Sequence, residues 1–313
     1  MKVSLVDVDG HSGFPNLALM KLSAWHKAQG DEVDWYQPLF DDPDRIYASK
    51  IFTFTPDAFF AAHHPAPIKG GTGYRMYNDL PDEIDSMLPD YSIYPQIKYA
   101  IGFLSRGCIR NCPWCVVPRK EGKLRKYEDI GRLAQDRKWL ILMDNNFLAN
   151  DFEFVKEQLE KCQQQGYSID FNQGLDARLM TPDIAALLAK CKWKGFSRKQ
   201  GQSHPYIRFS CDTLSAIDPV IEAVKMCRKA GYKGEFSIYI LAKNVDDTLV
   251  RIKKLLAADG KLNPMVMPYR NLDGNGEVEN PQVKKLANWC NKISERKACD
   301  WENYKYKLKE QCK

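Results

Sequence analysis

The sequence predicts an α/β protein: a small β-α-β domain, then a longer run of β-α units, then a helical tail. Three observations lead there. Short apolar runs alternate with segments of helical period. The connections between them are short, which favours parallel strands joined by right-handed crossovers. The chain has 313 residues, 44% apolar and 27% charged, the length of two domains plus an appendage with an ordinary globular composition. A chain of this length buries roughly 75% of its unfolded surface and needs no disulfide staples.

Lys2 to Val8 reads as a short buried strand. Pro15 opens a helix carrying Leu17, Leu19, Met20, Leu22 and Trp25 on its apolar face, ending near Gly30. Val33 to Tyr36 is a second strand and Ile51 to Phe54 a third. This segment resembles a small, truncated Rossmann-type domain. Asp57 to Gln96, rich in Pro, Gly and Asp and including Lys69-Gly-Gly-Thr-Gly73, reads as loop or linker. The predicted domains are 1–95, 96–276 and a helical extension over 277–313.

From Tyr99 the alternation becomes regular. Tyr99 to Leu104 is strand one, Glu128 to Trp139 a helix and Leu140 to Met143 strand two. Phe152 to Gln165 is a helix stopped by Gly166, and Ser168 to Asn172 is strand three. Thr181-Pro182 is an N-cap with a first-turn proline for a helix to Lys190. Tyr206 to Ser210 is strand four, followed by a helix from Ile217 to Ala230. Phe236 to Leu241 is strand five, Asp246 to Ala258 a helix and Met265 to Met267 strand six.

The net charge is +6, mildly basic and compatible with an anionic or macromolecular partner. No apolar run approaches the ~18 residues of a membrane span, and Asp7, Asp9 and His11 stand where a signal peptide would be apolar. The expectation is a cytoplasmic protein with no membrane partner. Ten cysteines in that compartment point to metal or redox chemistry. Cys108, Cys112 and Cys115 are bunched just after strand one, in Gly107-Cys-Ile-Arg-Asn-Cys-Pro-Trp-Cys115. Three thiolates in so short a loop suit one soft-metal centre. A cluster held by three cysteines leaves one iron open, whereas structural zinc takes four ligands, usually as two pairs. Cys299 and Cys312 match no cluster spacing and read as ordinary thiols.

The Cys-x3-Cys-x2-Cys spacing, with Trp114 before the last cysteine, resembles the signature of the radical S-adenosylmethionine (radical SAM) superfamily. The six-strand pattern over about 98–270 fits as well. The resemblance implies a partial (β/α)6 TIM-like barrel behind the truncated Rossmann-like α/β domain. It implies a [4Fe–4S] cluster on Cys108, Cys112 and Cys115 whose open iron chelates S-adenosylmethionine. Reductive cleavage then releases a 5′-deoxyadenosyl radical that abstracts a substrate hydrogen, with electrons from a flavodoxin- or ferredoxin-like donor. Its other implied attributes are oxygen sensitivity and a modification reaction.

Ligands of parallel α/β folds sit at the carboxyl ends of strands. By the resemblance, Asp144 and Asn145 of the run Asp144-Asn-Asn146 hold the methionine ammonium; the alternative is an Asx turn. Arg178 suits the methionine carboxylate, with Gln173 facing the same pocket; the alternative is an ion pair of Arg178 with Asp176, and Arg208 is the next arginine in line. Ser210 and Asp212 share a face at the end of strand four, Asp212 toward the ribose or else capping a helix. Lys243 to Thr248 resembles the adenine-side motif without its glycines, only Asp247-Thr248 matching, and also reads as a helix cap. Tyr269 and Trp114 provide aromatic walls. The basic segment Arg119 to Arg125 is a solvated loop or an anion contact.

The N-terminal domain resembles the cobalamin-binding radical SAM subclass, with Asp9-Gly-His11-Ser-Gly13 at the comparable loop and Gly70-Gly71 loosely at a later turn. Its glycine is one residue early and its length short, so bound cobalamin is not favoured over a shielding and docking role. The rival enzyme reading is a cobalamin-dependent methyltransferase, and the non-enzyme rival an iron–sulfur or zinc-binding scaffold. The tail (Trp289, Lys297, Trp301, Tyr304, Lys305, Tyr306, Lys307) either meets a macromolecular substrate or packs as a closing helix.

Overall fold

The computed structural model describes residues 1–58, 60, 65–196, 205–271 and 276–304. The chain is α/β with parallel sheets and divides into two units, Met1–Ile101 with Leu272–Gly276, and Gly102–Asn271 with Glu277–Lys313.

In the first unit, β1 (Lys2–Asp7), β2 (Glu32–Trp35), β3 (Arg45–Ser49) and β4 (Ile68–Gly70) form a parallel sheet of order β2-β1-β3-β4. Val3, Leu5, Ile46 and Ala48 are buried, as are Leu19, Met20 and Leu22 of helix α1 (Leu17–Ala28). The helix opens after Asn16, whose side chain accepts from the Leu19 N–H.

The expected strand Ile51 to Phe54 is a loop, and the third strand lies earlier, at Arg45–Ser49. The physical reason is a buried carboxylate. Asp9 accepts from the N–H groups of Ile51 (2.5 Å) and Phe52 (3.4 Å) and from the Thr55 hydroxyl, so these amides cannot join a ladder. Phe52 and Phe54 instead stack on each other, ring centroids 5.2 Å apart. The stretch read as loop holds β4 and the short helix α2 (Asp82–Asp85). Gly71 follows β4 with φ +89, and a Cβ there would meet the Lys50 carbonyl, so glycine fits where a side chain would not.

The second unit begins within β5 (Ala100–Gly102) and continues with β6 (Ser105–Arg106), α3 (Val117–Lys120), β7 (Arg125–Lys126), α4 (Ile130–Ala134) and β8 (Trp139–Leu142). Then come α5 (Phe152–Gln165), β9 (Ser168–Phe171), α6 (Pro182–Lys190), β10 (Lys192–Trp193) and β11 (Tyr206–Ser210). The last elements are α7 (Ile217–Lys229), β12 (Glu235–Ala242), α8 (Val245–Ala258), β13 (Leu262–Pro268), α9 (Pro281–Asn291) and α10 (Ile293–Ala298). One sheet has the order β10-β9-β8-β5, another β11-β12-β13, and β6-β7 is an antiparallel pair. A parallel bridge between Leu175 and Phe209 joins the continuation of β9 to β11.

Local signals account for most of these boundaries. Asp151 caps α5 through the Phe154 N–H, and Gly166 closes it in the left-handed conformation. Thr181 caps α6 through the Ile184 N–H. The helix expected over Glu128 to Trp139 is only Ile130–Ala134, because Gln135 turns the chain with φ +49 and Trp139 already belongs to β8.

The three-stranded sheet is two-sided. Ile207, Phe209, Phe236, Ile238, Ile240, Leu262 and Val266 are buried on one face, with α8 packed on β12 and β13 and α9 on β13. The alternate residues are largely polar: Arg208 and Ser210 on β11, Ser237 and Tyr239 on β12, Asn263 on β13. In the tail, Trp289 and Trp301 are buried with centroids 6.0 Å apart, and Trp289 Nε1 donates to the Cys299 carbonyl. This part of the tail is a packing element; Lys305, Tyr306, Lys307 and Cys312 lie outside the described residues. Among the described residues no helix is long and apolar enough to cross a membrane.

Candidate functional site

The cysteine loop runs between β6 and β7 and is tied down from the end of β8. Asp144 accepts from the N–H groups of Leu104 (3.0 Å) and Ser105 (2.6 Å) and from the Ser105 hydroxyl (2.8 Å). Asn145 Oδ1 accepts from the Gly107 N–H at 2.9 Å. Asn146 Nδ2 lies 3.4 Å from Cys108 Sγ. Three consecutive side chains thus grip successive points of the stretch from Leu104 to Cys108. Gly107 has φ +83, and a Cβ there would press on the Gly122 carbonyl at 2.8 Å, so the turn into the loop needs glycine. Cys108 receives the Arg110 N–H at 3.3 Å, and Cys115 donates its N–H to the Cys112 carbonyl at 3.0 Å.

Asp144 and Asn145 therefore act on the loop. Both Asp144 oxygens are engaged and the residue is only 3% exposed. Asn146, the third residue of the run, touches a cysteine, and its Oδ1 is buried without a hydrogen-bond partner. Its signal in the sequence was only its place after Asp144 and Asn145.

Burial pushes the Asp144 carboxyl up to about 6, against the pull of the Leu104 and Ser105 donors. A carboxyl raised above its unfolded value of about 3.9 binds its proton more tightly in the native state. Its contribution to stability is full below about pH 4 and is lost as pH rises through about 6. Asp144→Asn removes this titration. The wild-type minus variant difference in unfolding free energy, from urea titrations, is expected to decline between about pH 4 and pH 6. A difference that stays level across that range refutes the assignment.

On the other side of the loop, Cys112 lies in the electrostatic field of Arg178, Cys108, Asp212 and Arg110. Burial raises the Cys112 thiol, with Arg178 opposing, and burial also raises Cys115. Arg178 is 43% exposed at its side chain and pairs with Asp176 through Nε (2.6 Å) and Nη2 (3.0 Å). Asp176 also takes the Arg110 Nε at 2.5 Å. Burial works to raise the Asp176 carboxyl, but the Arg178 and Arg110 guanidiniums outweigh it and hold it low. The ion pair open as an alternative for Arg178 is therefore formed, and its guanidinium acts on Cys112 only through its field. Asp212 is raised by burial and accepts the Leu241 N–H at 3.1 Å.

Ser210 is half-buried, beside Gly174, and Gln173 is exposed. Trp114 and Tyr269 share one cation: Lys243 Nζ stands 5.8 Å from the Trp114 centroid and 4.2 Å from that of Tyr269. The residues after Lys243 form a helix cap, Asn244 accepting from the Asp247 N–H and Asp247 pairing with Arg251. Arg208 is 4% exposed and bound to Asp170 (2.6 and 2.8 Å), the Tyr239 hydroxyl (2.6 Å) and the Tyr206 hydroxyl (2.9 Å). It is a structural arginine on the polar face of the sheet.

Cys112 thus lies within electrostatic reach of Cys108, Arg178 and Asp212, and Trp114 and Tyr269 meet through Lys243. Arg110, Asp176 and Lys243 complete the surroundings without having been singled out as site residues. Among the described residues no three His, Cys, Asp or Glu side chains are gathered closely enough to hold a metal ion. Comparison with protein-family models finds none that matches, and comparison with curated proteins finds no match.

Proposed function

We propose that the chain is a radical S-adenosylmethionine enzyme. In this reading β5, β8, β9, β11, β12 and β13 are the strands of a partial (β/α)6 barrel, supported by their succession in two sheets bridged at Leu175–Phe209. Cys108, Cys112 and Cys115 are the ligands of a [4Fe–4S] cluster. The carrying observation is the Cys-x3-Cys-x2-Cys loop, hung from the end of β8 with Cys112 in the electrostatic field of Arg178 and Asp212. The donor chemistry suits such a group, three soft thiols on one short loop with the Asn146 side-chain N–H at Cys108, although among the described residues the thiols are not gathered around one point.

When bound, the cluster supplies the electron that cleaves the sulfonium of S-adenosylmethionine to give the 5′-deoxyadenosyl radical. The chain's own residues do the rest. Asp144 and Asn145 fix the loop. Arg178 offers a guanidinium to the methionine carboxylate and Asp212 a carboxylate to the ribose hydroxyls. Trp114 and Tyr269 wall the adenine. Electrons come from a flavodoxin- or ferredoxin-like protein, and the exposed Lys243 favours an anionic substrate.

Anaerobically reconstituted protein with dithionite is expected to convert S-adenosylmethionine to 5′-deoxyadenosine and methionine, read by chromatography. No 5′-deoxyadenosine from iron-loaded protein refutes the reading. Arg178→Ala is expected to weaken S-adenosylmethionine binding by roughly 1.5–3 kcal/mol, the range for a hydrogen bond to a charged group. Unchanged affinity moves the carboxylate role to another residue.

A further inference from the structure

The first unit contains an open cavity of about 850 Å³ at the carboxyl halves of β1 and β2, bordered by the segment around Tyr94. Its size is that of a small-molecule site, and its place is where parallel α/β sheets bind ligands. Two of its walls are rigid aromatics. Trp35 donates its Nε1 proton to the Ile93 carbonyl at 3.0 Å. Tyr94 donates its hydroxyl to Asp7 at 2.7 Å and accepts the Asn16 N–H at 3.2 Å. The two rings meet edge to face, centroids 5.0 Å apart.

Two carboxylates and one ammonium line the cavity. Asp7 and Asp34 both line it, and among the described residues neither pairs with a lysine or arginine. Lys27, the cation at its edge, is already bound to Asp90 (2.8 Å) and Ser92 (2.6 Å). Burial raises the Asp7 carboxyl with the Tyr94 hydroxyl and the Asp9 N–H opposing, so Asp7 is hydrogen-bonded but has no ion-pair partner. Aromatic faces attract cations through their quadrupole, and a carboxylate without an ion-pair partner adds attraction of the same sign.

We propose that this cavity is a binding site for an organic cation, a quaternary or protonated amine seated against Trp35 and Tyr94 with its charge toward Asp7. The assignment is independent of the cysteine loop and of the reaction proposed for it.

Calorimetric titration of the full chain with choline, and separately with its neutral isostere 3,3-dimethylbutan-1-ol, tests charge recognition directly. Saturable choline binding with no binding of the alcohol is the expected result. Asp7→Asn is expected to weaken choline by about tenfold, and Trp35→Leu, the second readout should the first not fold, by at least as much. Equal binding of the two isosteres overturns the proposal, as does the absence of choline binding at millimolar concentration. Stoichiometric retention of hydroxocobalamin that Trp35→Leu abolishes also overturns it, because the cavity would then belong to a corrin.

Discussion

Anaerobic reconstitution is expected to load about four irons per chain, and Cys108→Ala, Cys112→Ala or Cys115→Ala each to lose nearly all of them. The size of the effect follows from the ligand set. Three thiolates hold the proposed cluster, so none is dispensable. The other described cysteines are built into different surroundings: Cys162, Cys191, Cys211, Cys227 and Cys290 are buried, and Cys299 points its thiol at the Glu295 carbonyl, 3.7 Å away. Cys299→Ala should therefore keep its full iron and visible absorbance, and loss of iron there would refute a three-cysteine assignment. Burial raises the thiols of Cys112 and Cys115, and iron needs the thiolates, so loading should release protons and improve as pH rises.

The second large effect lies away from the cysteines. Asp170→Ala is expected to destabilise the chain by about 3–5 kcal/mol, because it strands the buried Arg208 charge. The Tyr206 and Tyr239 hydroxyls that remain can accept from the guanidinium but cannot neutralise it. Replacing both partners, Asp170→Leu with Arg208→Leu, removes the charge as well as its counter-ion and should recover much of the loss. Urea denaturation of wild type, single and double variants measures the difference. If the double variant is as unstable as the single one, the stranded charge is not the cause.

How much of this was legible depended on the range of the interaction. α5 is signalled within its own residues, by Asp151, an apolar stripe and Gly166, and its bounds read correctly. β11 likewise shows its own alternation. β3 was misplaced because the aromatic run Ile51 to Phe54 has more strand propensity than Arg45–Ser49, and the deciding bonds come from Asp9, 42 and 43 residues away. The cysteine spacing was plain, but the work of Asp144 and Asn145 was not, since it reaches 38 to 40 residues back along the chain. The pairing of Lys243 with both Trp114 and Tyr269 left no local pattern at all.

The grip of Asp144, Asn145 and Asn146 on residues 104–108 bears on damage and repair. A loop whose shape is moulded by the neighbouring strand does not rely on a metal to fold it. If the loop carries the proposed cluster, oxygen that strips its iron would leave the mould standing. Recovery of the proposed enzyme would then ask for iron, sulfide and reductant, and not for a fresh chain from the ribosome.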